Sequence, residues 1–349
     1  AEIEEITVTV ERRSQSLQNL AGTAALFQGE DLKQLGVQNL TDLNGRFPGL
    51  QIANNQGNVE VWIRGIGSSN NTELGDPAAA THLDGVYVPR PRGIGSVFFD
   101  IERVEVNIGP QGTLRGRKAT AGSVNIISIK PGLGIWDAMA EVEFGNFDQT
   151  VIHAMVNVPI GDKMALRVSG FSLDHDSYLN NVGPVDEIDV AEAEDNLGFR
   201  AHFLYEPNDK LRILLTGDYV QEQGTGFTGV NFANPLGEGI PPSEIKKPRN
   251  VIARGFTPIL DTEHWGAKIE INYDVGPFNI EYLGSYRDLV YDFEAATPLA
   301  PDFPGVLDTL VPFDENFDNF SRFQSITDSE SIIHELRLVS DDDQRLIWS

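Results

Sequence analysis

The sequence predicts a small mixed α/β domain followed by a transmembrane antiparallel β-barrel. Three observations carry the prediction. No run of about 18 apolar residues exists, so no spanning helix is available. Yet 40% of the residues are hydrophobic and mean hydropathy is −0.21, values that leave room for spanning strands, whose signal per strand is weak. The texture then changes at Pro131-Gly132-Leu133-Gly134, from short glycine-dense segments to long alternating ones. Finally, the joints between the later segments alternate in length. Short ones fall at Gly161-Asp162, Pro207-Asn208-Asp209, Val275-Gly276-Pro277 and Asp341-Asp342-Asp343, and long ones near 175–191, 223–260 and 294–325. A spanning barrel alternates short turns with long loops in this way. On pattern alone, a soluble all-β domain with amphipathic strands remains the alternative.

Composition narrows the function classes. The chain of 349 residues holds 26 Lys+Arg against 52 Asp+Glu, a formal charge of −26. A binder of nucleic acid needs a basic face, so that class is excluded. Cysteine is absent, which removes disulfides and thiolate chemistry. The 34 Gly and 19 Phe against 3 Met favour strands and turns.

Residues 4–10 read as a short β-branched strand after an acidic start, either a frayed end or a strand offered to a partner's sheet edge. Leu32, Leu35, Leu40 and Leu43 carry helical spacing over 30–50, with Thr41-Asp42 as a cap for a second short helix and a stop at Phe47-Pro48-Gly49. Residues 59–67 alternate as a strand, and Thr81–Val88 reads as a hairpin about Asp84-Gly85. Residues 101–108 and 123–129 are two more strands. Beyond 138 about nine strands are expected, the last starting near Arg345. In 266–274, Ala267, Ile269, Ile271 and Tyr273 take one face, and Lys268, Glu270, Asn272 and Asp274 the other. Segments 211–219 and 277–287 repeat the pattern. Phe144, Phe147, Phe171, Tyr205, Tyr219 and Tyr273 are placed as an interfacial girdle. A chain stopping in mid-strand implies further strands beyond Ser349.

No catalytic or metal site emerges. The six His are scattered and lack metal-ligand spacing. Asp302, Asp308, Asp314 and Asp318 lack a calcium-loop pattern. No nucleophile elbow or phosphate loop is present.

The order of motifs resembles the TonB-dependent outer-membrane receptors. Glu4–Val10 looks like the TonB box. Gly29-Glu30-Asp31-Leu32, Asn39–Leu43 and Phe47–Ile52 resemble the early plug domain, and Trp62–Gly67 the family's Ile-Arg-Gly segment. Leu83–Tyr87, Phe99–Val106, Gly109–Leu114 and Asn125-Ile126-Ile127 follow in family order, and Glu335–Leu338 resembles a barrel strand. The resemblance implies a TonB box and N-terminal segment over 1–13, a plug over 14–134 and part of a barrel of about 22 strands over 135–349. It also implies an energised importer rather than an enzyme, in the outer membrane of a Gram-negative bacterium.

The implied partners are TonB with ExbB and ExbD, outer-membrane lipid and a small-molecule ligand. A ferric siderophore is the leading cargo, with iron entering only as part of it and no resident cofactor. An oligosaccharide or vitamin on the same scaffold is the alternative, and a non-transporting surface β-protein the second. TonB would pair with Glu5, Ile6, Thr7, Val8, Thr9 and Val10. The family's Arg before Gly-Pro is Ile108 here, and its aromatic before the next Gly-Arg is Arg115, so the implied lock between plug and barrel carboxylates falls to Arg64 and Arg103. Ligand contacts are expected from Arg90, Arg92, Phe98, Phe227, Phe232, Phe303 and Phe317. Ordinary loop packing is the alternative for the aromatics, and solvated charge for the two arginines.

Overall fold

The computed structural model describes residues 7–8, 15–16, 23–55, 58–68, 77–89, 98–110, 112, 119–182, 192–226, 243, 247, 249–251, 257–298 and 320–340. In chain order the first elements are β1 (Thr7–Val8), β2 (Gln15–Ser16), β3 (Thr23–Gln28), α1 (Gly29–Gln34), a 3-10 turn at Thr41–Leu43, β4 (Leu50–Asn55) and β5 (Asn58–Ile63). Then come β6 (Ala79–Leu83), β7 (Val86–Val88), β8 (Ile101–Ile108) and β9 (Gly122–Ser128). Five of these strands form one sheet in the order β3-β8-β9-β6-β7, with β6 and β9 parallel.

The sheet forms where the sequence alternates. Val104, Val106, Val124 and Ile126 point to one side and join Leu32, Leu40, Leu43, Ile52, Val61 and Ile63 in a single core. The β6–β7 hairpin turns on Asp84 (φ 48°) and Gly85 (φ 80°), the two left-handed residues that a tight primed turn requires. The helical pattern over 30–50 resolves into the six-residue α1 and the 3-10 turn. Leu40 rather than Thr41-Asp42 stands at the turn's N-cap, and the side-chain bond into the turn comes from Asn39, whose Oδ1 accepts the Asp42 N–H at 3.1 Å. Asp42 instead accepts the Gln38 and Asn39 amides.

After the linker, eight antiparallel strands build one curved wall. They are β10 (Asp137–Phe144), β11 (Thr150–Ile160), β12 (Met164–His175), β14 (Glu194–Asn208), β15 (Leu211–Gly224), β17 (Ile259–Asp274), β18 (Phe278–Pro298) and β19 (Phe320–Ser340), each paired with the next. Two short strands, β13 (Asn180–Asn181) and β16 (Asn250–Val251), pair in the long-loop region. The short joints stand where the sequence puts them, at 161–163, 209–210 and 275–277. The ninth expected strand and Asp341–Asp343 lie outside the described residues.

The period-two pattern becomes two chemically opposite faces. Leu197, Phe199, Leu215, Trp265 and Tyr273 stand exposed on the outer face, while Arg200, His202, Thr216, Asp218 and Lys268 are buried on the inner one. Aromatic pairs bound the outer apolar band towards the long loops: Phe199 stacked with Tyr219 at 5.5 Å and Trp265 tilted against Tyr286 at 5.0 Å. Tyr205 and Tyr273 bound it near the short turns. Two girdle expectations are corrected. Phe171 has the parity of Arg167 and points inward, 3% exposed, and Phe147 sits in the β10–β11 turn against Tyr178.

Candidate functional site

The small domain fills the concave side of the wall, and its seam is polar. Most of the polar contacts come from one register row. Asn157, Arg167, His202, Thr216 and Lys268 stand side by side on β11, β12, β14, β15 and β17. Asn157 holds the linker: its Nδ2 donates to the carbonyls of Gly132 (3.0 Å) and Ile135 (2.6 Å), and its Oδ1 accepts the Gly132 N–H at 3.0 Å. Arg167 grips Asp100 through two parallel bonds, Nε to Oδ2 at 2.7 Å and Nη2 to Oδ1 at 2.5 Å. Both side chains are about as buried as a core residue, 6% and 5% exposed.

His202 lies between Thr216 and the domain. Ser128 Oγ donates to Asp84 Oδ2 at 2.7 Å, so it accepts from His202 Nε2 at 3.0 Å. His202 Nδ1 then accepts from Thr216 Oγ1 at 2.9 Å. This chain of bonds selects the neutral ring with its proton on Nε2. Lys268 Nζ donates to the Asp84 carbonyl at 3.2 Å and lies 4.0 Å from its carboxylate. It also pairs with Glu270. Lys130 pairs with the same Asp84 carboxylate.

Burial alone would raise the Asp84 carboxyl, but Lys130, Lys268 and Arg200 together outweigh it and hold it well below the usual carboxylate range. Burial pulls the Lys130 ammonium down to about 8, against the opposing pull of Asp84.

One row towards the long loops, Arg200, Asp218, Gly266 and Arg287 align across β14, β15, β17 and β18. Arg200 lies 4.5 Å over the Phe99 ring and donates to the Phe99 carbonyl at 3.3 Å. Phe99 itself enters a cluster of wall residues Val151, Phe171, Leu173 and Val220. Arg287 reaches across Gly266 to Asp218 with bonds of 2.9 and 3.1 Å. A Cβ on Gly266 would stand 3.1 Å from the guanidinium carbon, so glycine is what lets the pair close over the middle strand.

The two arginines expected to form the lock make their described contacts within the small domain. Arg103 pairs with Glu102 and Glu105 of its own strand. Arg64 is exposed, with φ 53° and its amide on the Gly49 carbonyl at 2.6 Å. Among the described residues, the buried ion pairs across the seam have Asp84 and Asp100 on the small domain and Arg167 and Lys268 on the wall. Phe98 packs against the small domain's core, its amide on the Gln38 carbonyl at 2.6 Å. Arg90, Arg92, Phe227, Phe232, Phe303 and Phe317 lie outside the described residues, as do Glu5, Ile6, Thr9 and Val10. Thr7 and Val8 form β1 and pair with Ser16 and Gln15 of β2.

Near the long loops the sequence reading missed a cluster. Tyr178 stacks on His175 at 4.7 Å and bonds its Nε2 at 3.1 Å. Arg249 lies 5.0 Å over Phe147. Burial, with Glu194 and Glu192 nearby, pushes the Tyr178 hydroxyl up. The left-handed φ values of Phe147 and Asp148 mark the tight turn beneath it.

Residues 16–123 match the family model of the TonB-dependent receptor plug domain. The chain is 34% identical over 158 residues to the catecholate siderophore receptor Fiu of Escherichia coli, covering 42% of this chain and 19% of that protein. It is 25% identical over 248 residues to the iron-regulated outer membrane virulence protein of Vibrio cholerae, covering 67% of this chain and 35% of that one. Among solved structures, the ferric yersiniabactin uptake receptor FyuA of Yersinia pestis superimposes with a TM-score of 0.72 at 17% identity, over 93% of this chain and 46% of its own. The chain thus spans between a fifth and a half of the length of these relatives.

Proposed function

The chain is the plug and part of the β-barrel of a TonB-dependent receptor of the Gram-negative outer membrane, and from that premise we propose that it serves energised import of a ferric siderophore. The observation that carries the reading is the seam itself. A folded domain sits against the inner face of a lipid-banded wall through buried ion pairs, so passage requires the domain to move and energy to move it. Two of the named relatives are receptors for catecholate and yersiniabactin iron chelates, which favours the same class of cargo.

In this reading the chain binds and gates; it carries out no bond chemistry. Iron enters only inside the carried chelate. Ligand settles among the long loops on the extracellular side. TonB, driven through ExbB and ExbD, pairs in the periplasm with residues 5–10 as an added strand, a contact made by backbone hydrogen bonds. Its pull passes through β3 to the plug sheet. A proline at Ile6 or Val8 removes a backbone donor and fixes φ, so Ile6→Pro and Val8→Pro abolish uptake while cells still bind the chelate. Uptake at the wild-type level in both variants overturns the proposal. Abundance under iron starvation tests the cargo class: a large rise is expected, and no change rules against iron.

A further inference from the structure

The plug sheet has two unlike faces. One carries Val104, Val106, Val124, Ile126, Ala79 and Leu83 into the apolar core. The other carries Glu105 and Asn107 on β8, Ser123 and Asn125 on β9, and Ala80 and His82 on β6, adjacent across the sheet in register. That second face is polar and nonetheless sealed. Glu105, Asn107, Ser123 and His82 are each 0% exposed and Asn125 is 2% exposed. Its internal bonds form a ladder: Asn107 Nδ2 donates to Ser123 Oγ at 3.0 Å, and Asn125 Nδ2 to Glu105 Oε2 at 3.2 Å. Arg103 Nε closes the ladder on Glu105 Oε1 at 2.9 Å. Two acceptors are left over. Asn107 Oδ1 and Asn125 Oδ1 are buried with no donor among the described residues.

Packing does not account for this face. A sheet covered permanently on both sides is apolar on both, because each polar group withdrawn from water must find a partner. A face that is closed at rest and wetted during a cycle has the opposite requirement. It must expose little apolar surface when opened, and it can keep acceptors that only a passing solute or water satisfies.

We propose that this polar face lines the route that the cargo takes past the plug, and that it is uncovered when the plug is remodelled. The matching cargo is a hydrophilic chelate rich in amide and hydroxyl donors, which would meet the two free Asn oxygens. The apolar face stays closed throughout. The inference rests on the import reading and adds which side of the sheet the cargo passes.

The absence of cysteine from these 349 residues makes the test direct. In the full-length receptor, Ala80→Cys and Ser123→Cys place a thiol on the polar face, and Ala79→Cys and Val124→Cys place one on the apolar face, one residue away. Ala79 and Ala80 are both buried, at 2% and 0%, so resting accessibility is matched. Cells are given radio-iron in spent medium of the iron-starved host, together with a membrane-impermeant thiosulfonate label, with and without a collapsed proton gradient. Uptake is counted in the same cells, and the unsubstituted receptor gives the background.

The expected result is labelling of Ala80→Cys and Ser123→Cys that rises on the order of tenfold with energised uptake, as a closed site opening in the cycle requires. Ala79→Cys and Val124→Cys stay at background. Uptake with silent polar-face thiols, or with both faces labelled alike, overturns the route. No energised uptake by the unsubstituted receptor overturns the import reading itself and the route with it. A polar-face variant that loses uptake is replaced by its neighbour, since Ala80 and Ser123 report the same row of the sheet.

Discussion

The plug touches the wall in two unlike ways. Through the β6–β7 turn and the residue before β8, Asp84 and Asp100 are buried against Lys268 and Arg167. On α1, which packs beside the start of β8 at Gly29 and Ile101, the described ion pair is Lys33 with Glu141, with side chains 60% and 31% exposed. Both are salt bridges, but their surroundings differ. In a buried pair the loss of one partner strands the other charge in a poor solvent, whereas an exposed pair trades contact for water at little cost. The buried contact is therefore the fixed point of the plug. The exposed one, on the helix that follows β3 and the N-terminal chain that TonB is proposed to pull, is the contact that gives way first.

The largest effect comes from removing the fixed point. Arg167→Met leaves the Asp100 carboxylate buried without its fork. The expected loss of plug seating is about 3–5 kcal/mol, the range for breaking one side of a buried pair, read as a lowered melting temperature of the full-length receptor in micelles. Gly266→Ala comes next. Its Cβ would stand 3.1 Å from the Arg287 guanidinium, and parting that pair from Asp218 should destabilise the wall by about 1–3 kcal/mol. A loss below a few tenths on the same melting curve would show that the pair relaxes around the new methyl.

Acid provides a graded version of the same break. The Asp84 carboxyl is held below its ordinary value of 3.8. Its contribution is thus complete above that value and is lost as pH falls through the depressed one. The share of plug seating that Asp84 contributes should be flat from neutrality down to about pH 4 and weaken only below it, in addition to the earlier loss expected from the buried neutral His202. Asp84→Asn should remove that acid limb from the melting-temperature profile. The smallest effect is Lys33→Ala, below about 1 kcal/mol and reduced further by salt. A larger loss would erase the contrast between the two contacts.

Sequence reading reached what is local. The alternation over 266–274 put Lys268 and Glu270 on the polar face and Ile269 and Ile271 on the apolar one, as the wall shows. Asp84-Gly85 announced its own turn. One reading failed for a reason of reach. Phe171 was assigned to the girdle as an aromatic, although its parity with Arg167 already turned it inward. The seam was out of reach for a different reason. Asp84 and Lys268 are 184 positions apart, and Asp100 and Arg167 are 67 apart. Only the fold brings them together, and inward parity on the wall strands was the one signal that marked Arg167, His202 and Lys268 as candidates.

The most direct test is amide hydrogen exchange on the full-length receptor in micelles, comparing wild type, Arg167→Met and Lys33→Ala. Arg167→Met should speed exchange across Ile101–Ile108 and Gly122–Ser128, while Lys33→Ala leaves both strands as protected as in wild type. Equal protection in the two variants, or faster exchange confined to Lys33→Ala, would contradict the claim that one buried row of the wall holds the plug.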